Sequence, residues 1–177
     1  MNKADKRILY AYKILDRAVP YSFDCGRLCK KRCCSGDDDT GMILFSGEEK
    51  LFENDKDFKI KTTGDGKKLL VCRGICDRKK RPLSCRIYPF FPMLSDRHGK
   101  PVVKVVYDLR GYSSCPAVRN KIKPDPRFVS AVRRAAKVLC GDEKNKEIII
   151  ETDETIKDIF TLQKNLLSRG QKDEKDI

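Results

Sequence analysis

The sequence has no long apolar run and almost no histidine. None of its 177 residues lies in a stretch that approaches the ~20 consecutive apolar residues needed to span a membrane. The N-terminal segment MNKADKRILYAYKIL is charged and lacks the continuous apolar core of a secretory signal. We therefore expect a cytoplasmic protein that does not bind a membrane.

The sequence also lacks the motifs of several enzyme classes. It contains no glycine-rich phosphate-binding loop, no nucleophile elbow, no paired carboxylates and no cysteine–histidine pair. The single histidine, His98, lies in the segment DRHGK, whose composition is typical of a hairpin turn. These absences favour a binding protein over an enzyme.

Cysteine, by contrast, is abundant and clustered. In a reducing cytosol, clustered cysteines more often hold metal than form disulfides, and nine is an odd number for pairing. Eight of the nine fall into three clusters and are the predicted metal ligands: Cys25, Cys29, Cys33, Cys34, Cys72, Cys76, Cys85 and Cys115. The ninth, Cys140, follows an apolar helix pattern far from the clusters, and we expect it to be a structural residue.

The spacing of the first cluster bears on the number of metal ions. On a helix, steps of four residues advance by ~40°, so Cys25, Cys29 and Cys33 would share one face; an irregular loop could instead turn all four cysteines inward. The adjacent Cys33 and Cys34 are awkward ligands for one ion, which favours two different ions or a bridged centre. Eight thiolates suffice for two four-cysteine sites or for one larger cluster, of zinc or of iron and sulfur.

The charge of the chain fits an anionic centre. The formal net charge is +13, and eight thiolates would offset more than half of it. Arg81 and Arg86 lie beside Cys85, and we expect them to donate hydrogen bonds to ligand sulfurs or to bind an anionic substrate. Tyr88 and the prolines and phenylalanines after it are predicted to form a packing wall around the metal.

Apolar periodicity predicts an α+β fold in one small domain, residues 1–170. The predicted domain has a cysteine-bearing core over about 23–116, a helical part over 125–169 and a disordered tail over 171–177. The predicted elements are an N-terminal helix over Ile8–Val19, a hairpin of 58–62 and 68–72, a strand over 102–107, and two helices that begin at Asp125 and Asp153. The segment from Cys72 to Pro92 is predicted to be mostly irregular.

The order of the motifs resembles a known family. The segments FDCGRLCKKRCC, VCRGIC, RPLSCRIYPFFP and CP, between Phe23 and Pro116, resemble the YkgJ-type cysteine-cluster family, a zinc- or iron-chelating domain with a CxxCxxCC signature. The resemblance implies that the eight clustered cysteines are the ligands of zinc or iron, iron–sulfur centres included. In this chain Cys25 and Cys29 are separated by three residues rather than two, so the grouping of the ligands stays open.

Three functions follow from these features. The leading prediction is a metal-chelating protein that stores, delivers or senses zinc or iron, or uses it structurally. The second is an iron–sulfur-dependent enzyme that modifies proteins, because flagellin lysine methylases carry a similar cysteine cluster. The third, argued from charge alone, is a basic metalloprotein that binds nucleic acid.

Overall fold

The structure is a computed structural model that describes residues 3–34, 41–74, 77–97 and 100–173, and it confirms the α+β fold. The helices within these residues are α1 (Lys3–Leu15), α2 (Gly26–Cys29), α3 (Leu83–Ile87), α4 (Pro116–Arg119), α5 (Pro126–Leu139) and α6 (Glu143–Asp173). The strands are β1 (Met42–Ile43), β2 (Phe58–Thr62), β3 (Lys68–Cys72), β4 (Phe90–Arg97) and β5 (Lys100–Tyr107).

The strands form two antiparallel sheets. The first has the order β1-β3-β2, and its β2–β3 hairpin confirms the predicted one, with Phe58 opposite Cys72. The second is a long hairpin in which β4 pairs with β5 from Phe90–Tyr107 to Arg97–Lys100. Only β5 was predicted, because the prolines and cysteines before it indicated an irregular chain. The predicted turn residue His98 lies outside the described residues.

The main core lies between the terminal helices and the second sheet. Helix α1 buries Ile8, Ala11 and Leu15, which recur at the helical spacing that the sequence shows. They pack against the apolar face of α5 and the start of β4, formed by Phe90, Phe91, Phe128, Ala131, Val132, Ala135 and Leu139. A smaller cluster of Leu44, Phe52 and Leu70 fills the space under the first sheet. The buried faces confirm both predicted helices, but α1 spans Lys3–Leu15 rather than the predicted Ile8–Val19.

The last helix differs from its prediction. It begins at Glu143, ten residues before the predicted cap Asp153. Asp153 instead lies inside the helix, where it is 3% exposed and its carboxylate is 3.1 Å from the Lys157 ammonium group. Buried Asn145 accepts a hydrogen bond from the Ser46 amide at 2.6 Å, so polar residues occupy the buried face and break the apolar pattern. The helix continues through residues 171–173, which were predicted to be disordered, while 174–177 lie outside the described residues. Neither α6 nor another helix of the described segments is apolar enough to cross a membrane.

A fully buried carboxylate, that of Glu48, links three segments of the chain. It accepts hydrogen bonds from the Tyr12 hydroxyl at 2.6 Å, the Leu83 amide at 2.7 Å and the Phe45 amide at 2.9 Å. These bonds join α1, the chain after β1 and the start of α3. Burial raises the pKa of the Glu48 carboxyl to about 6, although the three donors act in the opposite direction.

We expect Glu48→Gln to change how stability depends on pH. Because the carboxyl has a pKa of about 6 when folded and a reference value of 4.5, folding takes up a proton between these values. The contribution of this group to stability is complete below pH 4.5 and is lost as the pH rises through 6, by about 2 kcal/mol. Urea unfolding across this range should show that loss in the wild type but not in Glu48→Gln. The exposed control Glu53→Gln should keep it, and an unchanged pH dependence in Glu48→Gln would contradict the assignment.

Candidate metal centre

A cavity of about 590 Å³ lies among helices α2 and α3, the end of strand β3 and the start of helix α4. Seven of the eight predicted ligands line it: Cys25, Cys29, Cys33, Cys34, Cys72, Cys85 and Cys115. The eighth, Cys76, lies outside the described residues. Cys140 packs against the main core at the end of α5 and is not part of the lining, in agreement with its predicted structural role. The fold thus brings together cysteines from four separate parts of the chain.

The first cluster reaches the cavity through a short helix and a turn. Cys25 precedes α2 and Cys29 ends it, with the Cys29 thiol 3.8 Å from the Cys25 carbonyl one turn back. The helix stops there because Lys30 and Lys31 both adopt left-handed conformations, with φ of 50° and 57°. Cys33 follows in a separate 3₁₀ turn, so the chain forms the turned alternative rather than one continuous helix face.

The remaining described ligands come from regular elements. Cys72 is the last residue of β3, and Cys85 is in the middle of α3. Cys115 precedes α4 and is buried in the main core, where its amide donates to the Gly111 carbonyl at 2.8 Å. These three thiols therefore have fixed backbones, whereas α2 and the 3₁₀ turn bury no residue of the first cluster.

The adjacent thiols of Cys33 and Cys34 form a hydrogen-bonded pair, with their sulfurs 3.9 Å apart. The pKa of Cys34 is lowered to about 6, because its hydrogen bond with Cys33 and the neighbouring cations Arg81 and Lys31 together outweigh the opposing effect of burial. The same hydrogen bond raises the pKa of Cys33. The pair therefore holds one thiolate near neutral pH, and the two cations favour its location on Cys34. All eight described cysteines are free thiols.

The walls of the cavity are strongly basic. Five arginines line it: Arg32, Arg78, Arg81, Arg86 and Arg110. Among the described lining residues the only carboxylate is Asp108, and it pairs with Arg110 at 2.7 Å. Burial, then the nearby charges of Arg81 and Arg86, lower the pKa of Arg78. These cations lie close together and favour negative charge inside the cavity.

Arg86 binds two backbone carbonyls, and its predicted interaction with ligand sulfurs or an anionic substrate stays a prediction. Its Nε donates to the Arg81 carbonyl at 2.9 Å and its Nη2 to the Lys79 carbonyl at 2.6 Å. The guanidinium also lies over the Tyr12 ring, 4.7 Å from its centroid. Arg86 therefore fixes the backbone before Cys85. Arg78, which the sequence did not single out, similarly donates to the Ala18 carbonyl at 2.5 Å.

Tyr88 lies against the site as predicted. Its hydroxyl contacts Ser114 and Cys115, and burial followed by the charge of Cys115 raises its pKa. The ring can approach this closely because Gly111 has no side chain: a Cβ there would overlap the hydroxyl. A second tyrosine, Tyr21, is buried in the main core, and its pKa is raised by burial and then by Cys115. Tyr21 lies two residues before the cysteine motif, and nothing in the sequence there predicted that it would lie beside Cys115.

The donor set suits a soft or borderline metal. Thiolates bind zinc and iron well, and Asp108, the only carboxylate among the described lining residues, is already paired with an arginine. However, in the part of the chain that the structure describes, no three Cys, His, Asp or Glu side chains are grouped closely enough to hold a metal ion. The predicted ligand Cys76 lies outside these described residues.

Comparison with family models, curated proteins and solved structures finds no match to this chain. The resemblance to the YkgJ-type family therefore stays a prediction.

We expect glycine to be favoured at the two left-handed lysines. A non-glycine residue in this conformation costs about 1–2 kcal/mol, which exceeds the extra chain entropy that glycine loses on folding. Lys30→Gly and Lys31→Gly should each raise the free energy of unfolding of the metal-free protein by about 0.5–1 kcal/mol. The matched control Lys6→Gly, exposed in helix α1, should lower it by about 1 kcal/mol. Equal losses at all three positions in urea unfolding would contradict the left-handed turn.

We also expect Gly111→Ala to displace Tyr88. The added methyl group overlaps the hydroxyl, so the free energy of unfolding should fall by about 1–3 kcal/mol. Tyr88→Phe removes the overlapping oxygen, and the double variant should recover at least half of that loss. Gly64→Ala, where the Cβ meets open space, is the control and should cost less than about 0.5 kcal/mol. Strictly additive effects of the two changes would contradict the close contact.

Proposed function

We propose that this protein chelates zinc or iron through the clustered cysteine thiolates, as the resemblance to the YkgJ-type family implies. The observation that carries the proposal is the convergence of seven predicted ligands on one cavity. These cysteines come from 25–34, from the end of β3, from α3 and from the start of α4, so sequence proximity alone does not explain their meeting. Buried core cysteines would not collect in this way, and Cys140 shows the ordinary behaviour of such a residue.

The thiols must ionise to become ligands. Burial, then the neighbouring thiols Cys115 and Cys29, raise the pKa of Cys25, so this cysteine is a neutral thiol in the metal-free protein at neutral pH. The Cys33–Cys34 pair likewise retains one proton. Binding therefore releases these protons, and affinity should increase with pH. When bound, zinc or iron supplies the positive charge that lets several neighbouring thiolates coexist.

The arginines support an anionic thiolate centre. Several thiolates around a divalent ion retain negative charge, and the cavity wall offers the guanidinium groups of Arg78, Arg81 and Arg86. Arginine keeps its proton under all physiological conditions, so this favourable field persists at any pH at which the thiols ionise. The basic composition of the chain thus has a local use, and this reduces the need to invoke nucleic acid as a partner.

We expect protein purified without oxygen to contain zinc or iron in stoichiometric amount. Cys33→Ser/Cys34→Ser removes two ligands from the exposed side of the cavity, and its metal content should fall to less than half of the wild-type value. The matched control is Cys140→Ser, which lies outside the cavity lining and should keep the full content. Elemental analysis gives the content, and the absorption spectrum distinguishes colourless zinc protein from coloured iron–sulfur protein.

Two results would contradict the proposal. One is a wild-type protein that contains no stoichiometric metal and binds none when zinc or ferrous iron is added. The other is equal metal loss in Cys140→Ser and in Cys33→Ser/Cys34→Ser, because the metal would then not depend on the cavity.

A further inference from the structure

The exposed face of helix α5 carries charge of one sign only. The helix contains no aspartate or glutamate, and its exposed charged residues are Arg127, Arg133, Arg134 and Lys137. Because successive residues of a helix are about 100° apart, these four lie within about 120° of one another, opposite the face that packs in the main core. Their row is about 15 Å long. We refer to these four residues as the cationic face of α5.

Most of these cations are not neutralised by the protein. Arg127 alone has a carboxylate beside it, with its Nη2 3.4 Å from Asp125, and its side chain is still 94% exposed. In the part of the chain that the structure describes, no carboxylate pairs with Arg133, Arg134 or Lys137. Cations three or four residues apart on a helix repel each other, so Lys137 makes the helix less stable than a mixed-charge surface would. The face is therefore not explained by the stability of the helix.

The chain that leads into α5 adds further cations on a fixed backbone. Three exposed basic residues precede the helix: Arg119, Lys121 and Lys123. This connection is hydrogen-bonded to the chain before the first cysteine cluster, because the Asp125 amide donates to the Pro20 carbonyl at 2.9 Å and the Tyr21 hydroxyl to the Ile122 carbonyl at 3.3 Å. Little backbone ordering is then left for the moment of binding, which favours affinity.

The metal cavity does not account for the cationic face of α5. Among the described residues that line the cavity, none lies between residues 119 and 139. The arginines of the cavity wall have thiols beside them, whereas those of α5 are on the outer surface. A separate anionic partner is needed to explain them.

The composition of the surface distinguishes among polyanions. A helix that binds an anionic membrane inserts apolar side chains beside its cations, and a protein that binds single strands stacks the bases on exposed aromatic rings. Between residues 119 and 139, all of which the structure describes, no large apolar or aromatic side chain is exposed. A duplex requires neither kind of residue, because its phosphates are on the outside. DNA has about one phosphate charge per 1.7 Å of helix axis, so a row of about 15 Å meets several phosphates at once.

The helical shape of the surface favours DNA over RNA. The major groove of DNA is about 12 Å wide and admits an α-helix together with the phosphates that border the groove. The corresponding groove of an RNA duplex is deep and too narrow for this contact.

We infer that the cationic face of α5 binds the phosphate backbone of double-stranded DNA. This activity goes beyond the proposed metal chelation and does not depend on it. Contacts with phosphates alone carry no base information, so the binding is independent of base sequence. It weakens steeply with salt, because each phosphate that a cation neutralises releases condensed counterions.

Fluorescence anisotropy of a labelled DNA duplex of about 20 base pairs, titrated with the full-length protein, tests the inference. We expect a dissociation constant of about 1–100 μM near physiological salt. Arg133→Gln/Arg134→Gln/Lys137→Gln should weaken binding by at least about tenfold, and the slope of log affinity against log salt concentration should become shallower by about 3. Glutamine has nearly the helix propensity of the residues it replaces, and far-ultraviolet circular dichroism verifies that the helix is intact.

The matched control removes the same charge from another surface. Lys56→Gln/Lys59→Gln/Lys68→Gln changes three exposed lysines in and before the first sheet. Both triple variants have the same net charge, so the long-range attraction of the protein for DNA decreases by a similar amount in each. The control should therefore lose less than about threefold in affinity. Equal losses in the two triple variants would place the binding elsewhere and contradict the inference.

Other nucleic acids and a membrane surface complete the test. Two DNA duplexes of unrelated sequence should bind equally well, and a strong preference for one of them would contradict binding through phosphates alone. Tighter binding to a single strand, to an RNA duplex or to vesicles of phosphatidylserine and phosphatidylcholine would assign the face to that polyanion and overturn the inference. So would the absence of DNA binding at low salt. Metal analysis of the same protein is independent of these results, so metal chelation stands or fails separately.

Discussion

The carboxylate of Glu48 is the interaction on which the frame of the cavity depends. It lies fully buried and accepts hydrogen bonds from α1, from the chain after β1 and from the first residue of α3. Arg86, one turn further along α3, lies over the ring of the same Tyr12 that donates to Glu48, and binds the carbonyls of the preceding turn. Burying a carboxylate costs free energy unless all of its hydrogen-bond donors are present. The three segments that supply these donors are therefore stable in this position only together.

The arginines around the cavity combine two tasks that lysine could not combine. Arg78 and Arg86 donate to backbone carbonyls, which fixes the chain over residues 78–82 before α3. The same guanidinium groups remain positively charged beside the thiols, so they favour thiolate formation in the cavity. The forked, permanently charged guanidinium offers several donors and a charge at once, whereas an ammonium group is a more strongly hydrated point charge. The same arginines therefore support the backbone and provide the positive charge of the site.

Much of the fold and the site was predictable from local patterns. The periodic apolar residues of α1 and α5 and the turn between β2 and β3 predicted those elements, and clustering in the sequence selected the seven described cysteines that meet in the cavity. The remaining features depend on tertiary contacts. Strand β4 contains Pro92 within its paired region, and α6 has polar residues on its buried face, so both departed from the usual patterns. The role of Glu48 depends on partners up to 36 residues away, which no local motif records.

The two halves of the cavity differ in how firmly they are held. Cys115 is part of the main core, and Cys72 and Cys85 belong to a strand and a helix. The 25–34 segment, by contrast, buries no residue in its helix or its turn and contains two left-handed lysines. Apolar packing therefore contributes little to its position.

This asymmetry has a consequence for metal affinity. The folded core already holds the segment near Cys25 close to Cys115, 90 residues away in the sequence. Closing such a loop in an unfolded chain would cost roughly 4–5 kcal/mol, and this cost does not arise when metal binds. What remains to be ordered on binding is the short turn with its strained lysines, at a few kcal/mol at most. Under the proposed function, a site built in this way would bind metal after the core has folded and would release it without unfolding the core.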